Sequence, residues 1–316
     1  MALTGTICRL VFGISEQEAT FARRGFKGTD PEAQQHLESM ARTFIYGYNI
    51  AISTSNVDRM SLQFQQLKRE TQGFAFEGAA MGLAILDYVS PWRQRFQTYL
   101  VGPGNPHIYM AHVGIGWTFA RLPGQYKRVF HRLDPLLRWL ALDGYGFHEG
   151  FFSWSRTLQH HVVPVQLNGY AIRAFDQGVG RSLWFVHGAD GHAIRRTIAT
   201  FPIERQADLW SGVGLACAYA GGRSECFSIL LHAVGPYFPH FAQGVAFAVK
   251  ARQRAKNASA NTELACQTFC GLSSDDAAAL TDTALCDLPK RQNLPAYELW
   301  RQRIQSYFIA PPIKVP

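Results

Sequence analysis

Apolar residues recur along this chain at the three- and four-residue spacing of helices that are buried on one face. One such run extends from Phe175 to Val186 and a second from Ala207 to Ala220. This spacing places the apolar side chains on one side of an α-helix. Only the short segment 162–167 has a strand-like composition. The pattern therefore predicts an all-α protein.

A Gly-x-Gly motif repeats within these helical runs. It occurs at 114–116, 144–146, 178–180 and 212–214, in steps of 30, 34 and 34 residues. Weaker copies carry a single glycine of the pattern, at Gly47, Gly78, Gly244 and Gly271. Glycine inside a helix costs about 1 kcal/mol relative to alanine, and close approach of packed helices would compensate for this cost. We therefore predict about eight stacked helical repeats of about 33 residues, as a solenoid-like array or a compact bundle.

The composition divides the chain into an N-terminal segment (1–30), a helical-repeat body (31–260), a C-terminal helical cap (264–310) and a tail (311–316). The segment 252–263 is polar and is interpreted as a connector between the body and the cap. Two shorter helices of the cap are predicted to begin near Ser273 and Pro295, because serine and proline are frequent at helix N-termini.

Composition and charge narrow the class of protein. The chain has 316 residues, 47% of them hydrophobic and 13% aromatic, which is enough to enclose an apolar pocket. The net charge of +8 comes from scattered basic residues, so an acidic protein or an anionic small molecule is expected as a partner rather than nucleic acid. No apolar run is long enough to span a membrane, and no signal peptide is recognisable. The expected location is the cytoplasm.

No metal or cofactor is predicted. The six cysteines contain no C-x-x-C pair and are interpreted as buried free thiols. The segment 187–192 holds two histidines and an aspartate, but its glycines are typical of a turn. The Gly-x-Gly at 144–146 lacks the acidic residue about 20 positions later that a dinucleotide site requires. No G-x-S-x-G motif of serine hydrolases is present.

The segment "LALDGYGFHEGFFSW" (140–154) carries the first candidate chemistry. If 136–158 is one helix, Glu149 shares a face with Ser153, Arg156 and His160. The match between "FEG" (76–78) and "HEG" (148–150) suggests a carboxylate at equivalent sites of two repeats. Burial raises the pKa of a carboxyl group and makes it a usable acid or base. The candidate acid–base residues of these segments are Glu77, His148 and Glu149, and surface packing is the alternative interpretation.

A second set of candidates lies beside the glycine motifs. His112 and Asp176 each stand two residues before a Gly-x-Gly, at a position that is apolar in weaker copies. Asp176 is a further candidate acid or base, and a structural hydrogen bond between helices is the alternative for both. Arg181 is placed to neutralise Asp176 or to hold an anion. The proposed ligand-binding residues are His112, Trp117, Tyr145, Phe147 and Arg181.

Four segments together resemble one bacterial family. They are "FARRGF" (21–26), "LDGYGFHEGFF" (142–152), "FDQGVGRSLWFV" (175–186) and "GVGLACAYAGG" (212–222). This pattern is similar to the UnbL-type proteins, a family of unknown function whose genes lie in enediyne polyketide biosynthetic clusters, and the similarity extends over residues 8 to 310. The resemblance implies a role in building or tailoring a long unsaturated polyketide. It implies no reaction and no catalytic residue.

Two hypotheses follow for the function. The first is an enzyme, a cyclase or isomerase, that acts on a polyene by acid–base chemistry in an apolar pocket. The second is a non-catalytic helical-repeat protein that carries the polyene or holds pathway enzymes together. In either case an acidic acyl carrier protein or the polyketide synthase is an expected partner. The proposed docking residues are Lys127, Arg128, Arg195 and Arg196. They are expected to form a basic rim beside the mouth of the pocket, and ordinary solubility is the alternative role.

Overall fold

The computed structural model describes residues 9–54, 56–122, 124, 126–222, 224–289 and 293–309. Within these ranges the chain is helical with no strand, which confirms the all-α prediction, and 162–167 forms turn and loop. No helix in this part is long and apolar enough to cross a membrane. The predicted tail lies outside the described residues.

In chain order the α-helices are α1 (Phe21–Arg24), α2 (Pro31–Thr54), α3 (Val57–Gln65), α4 (Arg69–Val89), α5 (Arg95–Val101), α6 (Ile108–Arg121), α7 (Tyr126–Phe130), α8 (Arg138–Phe152), α9 (Tyr170–Val186), α10 (Gly191–Ile198), α11 (Ile203–Ala220), α12 (Cys226–Val234), α13 (Phe238–Arg254), α14 (Ala260–Cys270), α15 (Ser274–Leu285) and α16 (Ala296–Tyr307).

In the described part of the chain, seven long helices form the body, and each packs against the next one in sequence. They are α2, α4, α6, α8, α9, α11 and α13, and shorter helices occupy most of the connections between them. The residue numbers of contacting positions rise together, which means that the neighbours run in the same direction. Gly146 lies against Phe175, and Gly150, about one turn later, lies against Ser182. Each repeat therefore consists of one long helix and one returning connection.

The two glycines of each motif contact opposite neighbours. A Cβ atom on Gly144 would lie 1.9 Å from the carbonyl oxygen of Val113 in the preceding helix. One on Gly146 would lie 1.9 Å from the carbonyl oxygen of Phe175 in the following helix. The same rule holds for the motifs at 114–116, 178–180 and 212–214. Because even a methyl group would collide with backbone at both contacts, the repeated motif is what allows the helices to stack closely.

The weaker copies of the motif do not all belong to the stack. Gly47, Gly78 and Gly244 each face the backbone of one neighbouring helix. Gly271 instead ends α14 in the left-handed conformation, with φ of 65°, as is common for glycine at a helix C-terminus. The body therefore has seven stacked helices where about eight repeats were expected.

The position just before the first glycine is polar in successive helices, and these side chains form a buried hydrogen-bonded ladder. The Gln177 amide donates to Asp143 at 2.8 Å. The Ser211 hydroxyl donates to Gln243 at 3.0 Å, and it lies 3.4 Å from Gln177 Oε1. Buried polar groups need such partners to offset their lost hydration. Side-chain polarity at one register position thus links the helices from α8 to α13.

The C-terminal helices pack on α13 and close that end of the stack. As predicted, α15 begins after Ser273 and α16 after Pro295. Helix α14 starts inside the segment 252–263, so the predicted polar connector is shorter than expected. Arg301 of α16 is fully buried and lies 2.7 Å from a carboxylate oxygen of Asp208. A buried ion pair of this kind ties the cap to the body.

Candidate functional site

Six of the seven body helices surround one cavity on the inner side of the stack, here called the aromatic cavity. Its wall contains residues of α2, α4, α6, α8, α9 and α11. The space open to the centres of water molecules is about 30 Å³, room for one or two waters. The side chain that follows the second glycine of each motif lines it, and most of the others are aromatic. The main lining residues are Phe44, Phe74, Glu77, Trp117, Phe147, Phe151, Phe152, Arg181, Phe185, Leu215 and Tyr219.

Glu77 is the carboxyl group of this cavity. Its residue is 2% exposed, and it accepts a hydrogen bond from the Trp117 indole N–H at 3.2 Å. Burial raises the pKa of Glu77 to about 7; the charge of Arg181 and the Trp117 hydrogen bond act against this rise, and Asp143 adds to it. A carboxyl group with such a pKa can both give and take a proton near neutral pH. Glu77 and Trp117, which were both predicted from the sequence as site residues, are therefore in direct contact.

Arg181 is the cation of the cavity. Its guanidinium lies over the Phe147 ring, 5.0 Å from the ring centroid, and donates a hydrogen bond to Asp143. The expectation that Arg181 neutralises Asp176 is wrong. Asp143 lies one repeat earlier, at the ladder position that faces α9, and its role was not recognised in the sequence. Only the packing of α8 on α9 reveals this pair.

Tyr219 is the second residue that the sequence did not single out. It lies five residues after the second glycine of its motif, the position that Phe151 and Phe185 occupy in earlier repeats, and all three line the cavity. Burial raises the pKa of Tyr219 to about 12, so its hydroxyl remains a hydrogen-bond donor. This hydroxyl has no hydrogen-bond partner among the described residues. The shared register position was the signal available in the sequence.

Asp176 is not part of the cavity. Its carboxylate accepts a hydrogen bond from Arg205 at 2.8 Å, and Arg205 also donates to the carbonyl oxygen of His161. Burial raises the pKa of Asp176 to about 6, and the hydrogen bonds and charge of Arg205 oppose that rise. The Asp176–Arg205 pair connects α9 to α11, which corresponds to the structural alternative for this aspartate.

His148 and Glu149 lie behind the cavity wall. The His148 Nδ1 is 3.2 Å from Glu149 Oε1, and the His148 ring packs against Trp117 and Phe152 with centroids 5.6 and 4.8 Å apart. Burial lowers the pKa of His148, and the hydrogen bond with Glu149 opposes this effect. Neither residue lines the cavity. The helix in fact ends at Phe152 and a π turn follows at 155–159.

The helix end and the glycine contacts each correct one sequence-based interpretation. Because α8 stops at Phe152, the residues from Glu149 to His160 do not share one face of a single helix. The match of "FEG" with "HEG" also has the wrong register. Gly78 and Gly144 make equivalent contacts to the preceding helix, so Glu77 corresponds to Asp143 and not to Glu149.

His112 and Tyr145, two predicted ligand-binding residues, are engaged elsewhere. The His112 Nδ1 lies 2.8 Å from the carbonyl oxygen of Ile108, and burial lowers the pKa of the ring. The Tyr145 hydroxyl accepts a hydrogen bond from Gln166 at 2.9 Å. Of the five predicted ligand-binding residues, the structure places Trp117, Phe147 and Arg181 in the cavity.

The N-terminal segment packs against two aromatic residues that line the cavity. Phe26 packs edge-on against Phe151 with ring centroids 4.9 Å apart. Arg24 lies over the Phe152 ring at 4.9 Å and donates to the Phe152 carbonyl oxygen at 2.7 Å. Arg121 approaches the same ring at 5.8 Å. Residues of the "FARRGF" segment therefore cover the C-terminal end of α8, next to two aromatic walls of the cavity.

The proposed docking cations lie away from the cavity. Lys127 and Arg128 belong to α7, Arg195 and Arg196 belong to α10, and all four are exposed. Helices α7 and α10 are the connections that follow α6 and α9. Among the described residues, no group of three or more His, Cys, Asp or Glu side chains is arranged to hold a metal ion.

The comparison with known proteins gives a family and no function. A family model described as a protein of unknown function, DUF1702, matches residues 3–308. No curated protein and no solved structure matches the chain. Since the family model covers nearly the whole sequence, the chain belongs to the DUF1702 family of proteins of unknown function.

Proposed function

We propose that this protein is an enzyme that moves a proton on a long unsaturated carbon chain, with Glu77 as the proton acceptor and donor. The observation that carries this proposal is the Glu77 carboxyl group itself, buried in a cavity of aromatic side chains with a pKa of about 7. A buried carboxyl group of this kind destabilises the fold when it ionises, and perturbed groups in cavities are typical of functional sites.

The walls of the cavity suit a flat conjugated ligand. Aromatic rings stack on unsaturated chains and bind them through apolar area and π contacts. An isomerisation shifts a proton from one carbon to another as a double bond moves, and a cyclisation initiated by a proton ends with its return. Neither reaction needs an oxidant or a reductant. Glu77 supplies the one group that both reactions require.

The biological setting that fits this chemistry is the synthesis of an enediyne from a polyene. The resemblance to UnbL-type proteins supports that setting, and it is part of the proposal. The cavity holds one or two waters as it stands, so a chain-like ligand must displace aromatic side chains on entry. Arg24 contacts Phe152 and Phe26 contacts Phe151, so a shift of these two wall residues would break those contacts.

The test compares Glu77→Gln with Glu149→Gln, a matched change on a carboxyl group outside the cavity. Both variants are supplied with the linear polyene that the pathway synthase releases, in D₂O, and product and deuterium incorporation are followed by mass spectrometry. We expect Glu77→Gln to slow turnover by a factor of about 100 or more, the usual contribution of a general acid or base. Glu149→Gln should stay within about threefold of wild type, because an exchange outside the cavity removes no proton donor.

Each outcome decides between the two hypotheses. A folded Glu77→Gln protein with wild-type turnover removes the catalytic assignment. Wild-type protein that binds the polyene in a stable complex, without new product or deuterium, identifies a carrier instead of an enzyme.

The exposed cations of α7 and α10 should speed the association of this protein with an acidic carrier protein. Reversing Lys127, Arg128, Arg195 and Arg196 to glutamate removes four exposed cations and is expected to slow association about tenfold or more at low salt. Added salt should reduce the wild-type rate, because exposed charges are screened within about 8 Å at physiological ionic strength. Stopped-flow measurements with a polyene-loaded carrier protein test this. Equal rates for both proteins at low salt would exclude these connections as a docking surface.

A further inference from the structure

A second cavity lies directly beside the aromatic cavity. It is enclosed by α6, α8, α9, α11, α13 and α16, and its wall is almost entirely apolar. Phe247 and Trp300 form part of the wall, with their ring centroids 4.4 Å apart. Ala248 and Ala251 of α13 also line the cavity, and their small side chains leave room for it. Nothing in the chemistry assigned to Glu77 uses this space.

Three side chains line both cavities and form the partition between them: Arg181, Leu215 and Tyr219. The partition is therefore one layer of side chains thick. Because Leu215 and Tyr219 are held by rotatable side-chain bonds rather than by backbone, rotation of either would join the two spaces. The combined space would extend from α2 to α16. Each cavity has about 30 Å³ open to the centres of water molecules, so a chain-like ligand must displace side chains in both.

The partition also contains two buried polar atoms that lack partners in the described part of the chain. They are the Arg181 Nε and the Tyr219 hydroxyl oxygen, on residues that are 4% and 2% exposed. Buried polar groups in folded proteins nearly always have a partner, and each exception needs an explanation. Both atoms carry a hydrogen that can be donated, so an acceptor such as a carbonyl oxygen would satisfy both.

The absence of a side chain at Gly73 leaves space for the Tyr219 hydroxyl. A Cβ atom there would lie 1.9 Å from the Tyr219 hydroxyl oxygen, with no backbone of another helix among its nearest contacts. The glycines of the repeated motif face backbone carbonyls instead. Gly73 thus accommodates the Tyr219 side chain rather than the stacking of helices. Phe74, the next residue, packs edge-on against the Tyr219 ring at 5.4 Å.

We propose that the ligand is an unbranched chain with an internal carbonyl group, whose oxygen accepts hydrogen bonds from Arg181 and Tyr219. Its unsaturated part lies in the aromatic cavity beside Glu77, and the rest extends across the partition into the second cavity. This inference rests on the proposed function and names its substrate class. It makes Tyr219 and Arg181 the residues that set where the chain is held.

The test uses linear dienones that share one dienyl side and whose saturated side lengthens from methyl to heptyl. Binding is measured by calorimetry. In the wild type, each added methylene should tighten binding about threefold as it enters the second cavity. In Ala248→Trp, lengthening the saturated side from methyl to heptyl should give no gain in affinity. Ala251→Leu, a smaller change on the same wall, should reduce the gain and serves if Ala248→Trp does not fold.

Tyr219→Phe tests the position of the oxygen. Loss of the hydroxyl should weaken every dienone about tenfold, and dienes of equal length without a carbonyl should bind this variant and the wild type alike. If both ligand types respond equally to Tyr219→Phe, the carbonyl is not held at the partition. If dienones bind but their affinity still increases with chain length in both Ala248→Trp and Ala251→Leu, the second cavity is not used and the proposed function stands. Failure of all dienones and dienes to bind the wild type overturns both proposals.

Discussion

Replacing Gly178 with alanine should destabilise the protein by about 3 kcal/mol or more, and leucine should cost more still. A Cβ atom at this position would lie 1.7 Å from the carbonyl oxygen of Asp143. Backbone cannot rotate out of the way as a side chain can, so α8 and α9 must separate along their whole contact. Separation would open voids on both sides of the crossing, and interiors lose stability with each void. The free energy of unfolding from chemical denaturation measures the effect.

Gly191→Ala is the matched control for this substitution. Gly191 is also buried and helical, but its Cβ would meet the side chains of Ile229 and Leu230, at 3.1 and 3.3 Å, which can shift by a few tenths of an ångström. We expect a change within about 1 kcal/mol, since alanine is also the better helix former. A Gly178→Ala protein as stable as Gly191→Ala would show that the helices are not in close contact at the glycine.

The glycine contacts also explain why the fold was more predictable than the site. A spacing of 30 to 34 residues is visible in the sequence, and close helix packing is its direct physical cause. Trp117, Phe147 and Arg181 follow the second glycine of their motifs, so one register position marks the cavity wall. This information is local and repeats along the chain.

Pairing between helices is not local, and the sequence-based predictions were wrong there. Asp176 and Arg181 are five residues apart, yet Asp176 pairs with Arg205 and Arg181 with Asp143. The choice depends on which neighbouring helix each side chain faces, and a helix has two neighbours in the stack. The letters "FEG" and "HEG" match, but only contact geometry shows that their registers differ. Whether the Tyr219 hydroxyl has a partner among the described residues likewise depends on how the helices pack, so the sequence does not show it.

Replacing Glu77 with glutamine should stabilise the protein at alkaline pH while it removes activity. The folded-state pKa is about 7, above the ordinary value of 4.5, because burial favours the neutral carboxyl group. The folded state therefore binds more protons than the unfolded state between these values. Wild-type stability is fully present below pH 4.5 and falls as pH rises through 7, by about 3 kcal/mol in total. Glutamine does not ionise, so this loss should disappear in the variant.

Denaturation of both proteins from pH 5 to pH 8.5 measures the difference. We expect the variant to be more stable by about 1 kcal/mol at pH 5 and by about 3 kcal/mol at pH 8.5. A Glu77→Gln difference that stays constant with pH would mean that Glu77 does not titrate near 7 in the fold. A residue whose removal makes the fold more stable is retained for another reason, and the proton transfer proposed for Glu77 would be such a reason.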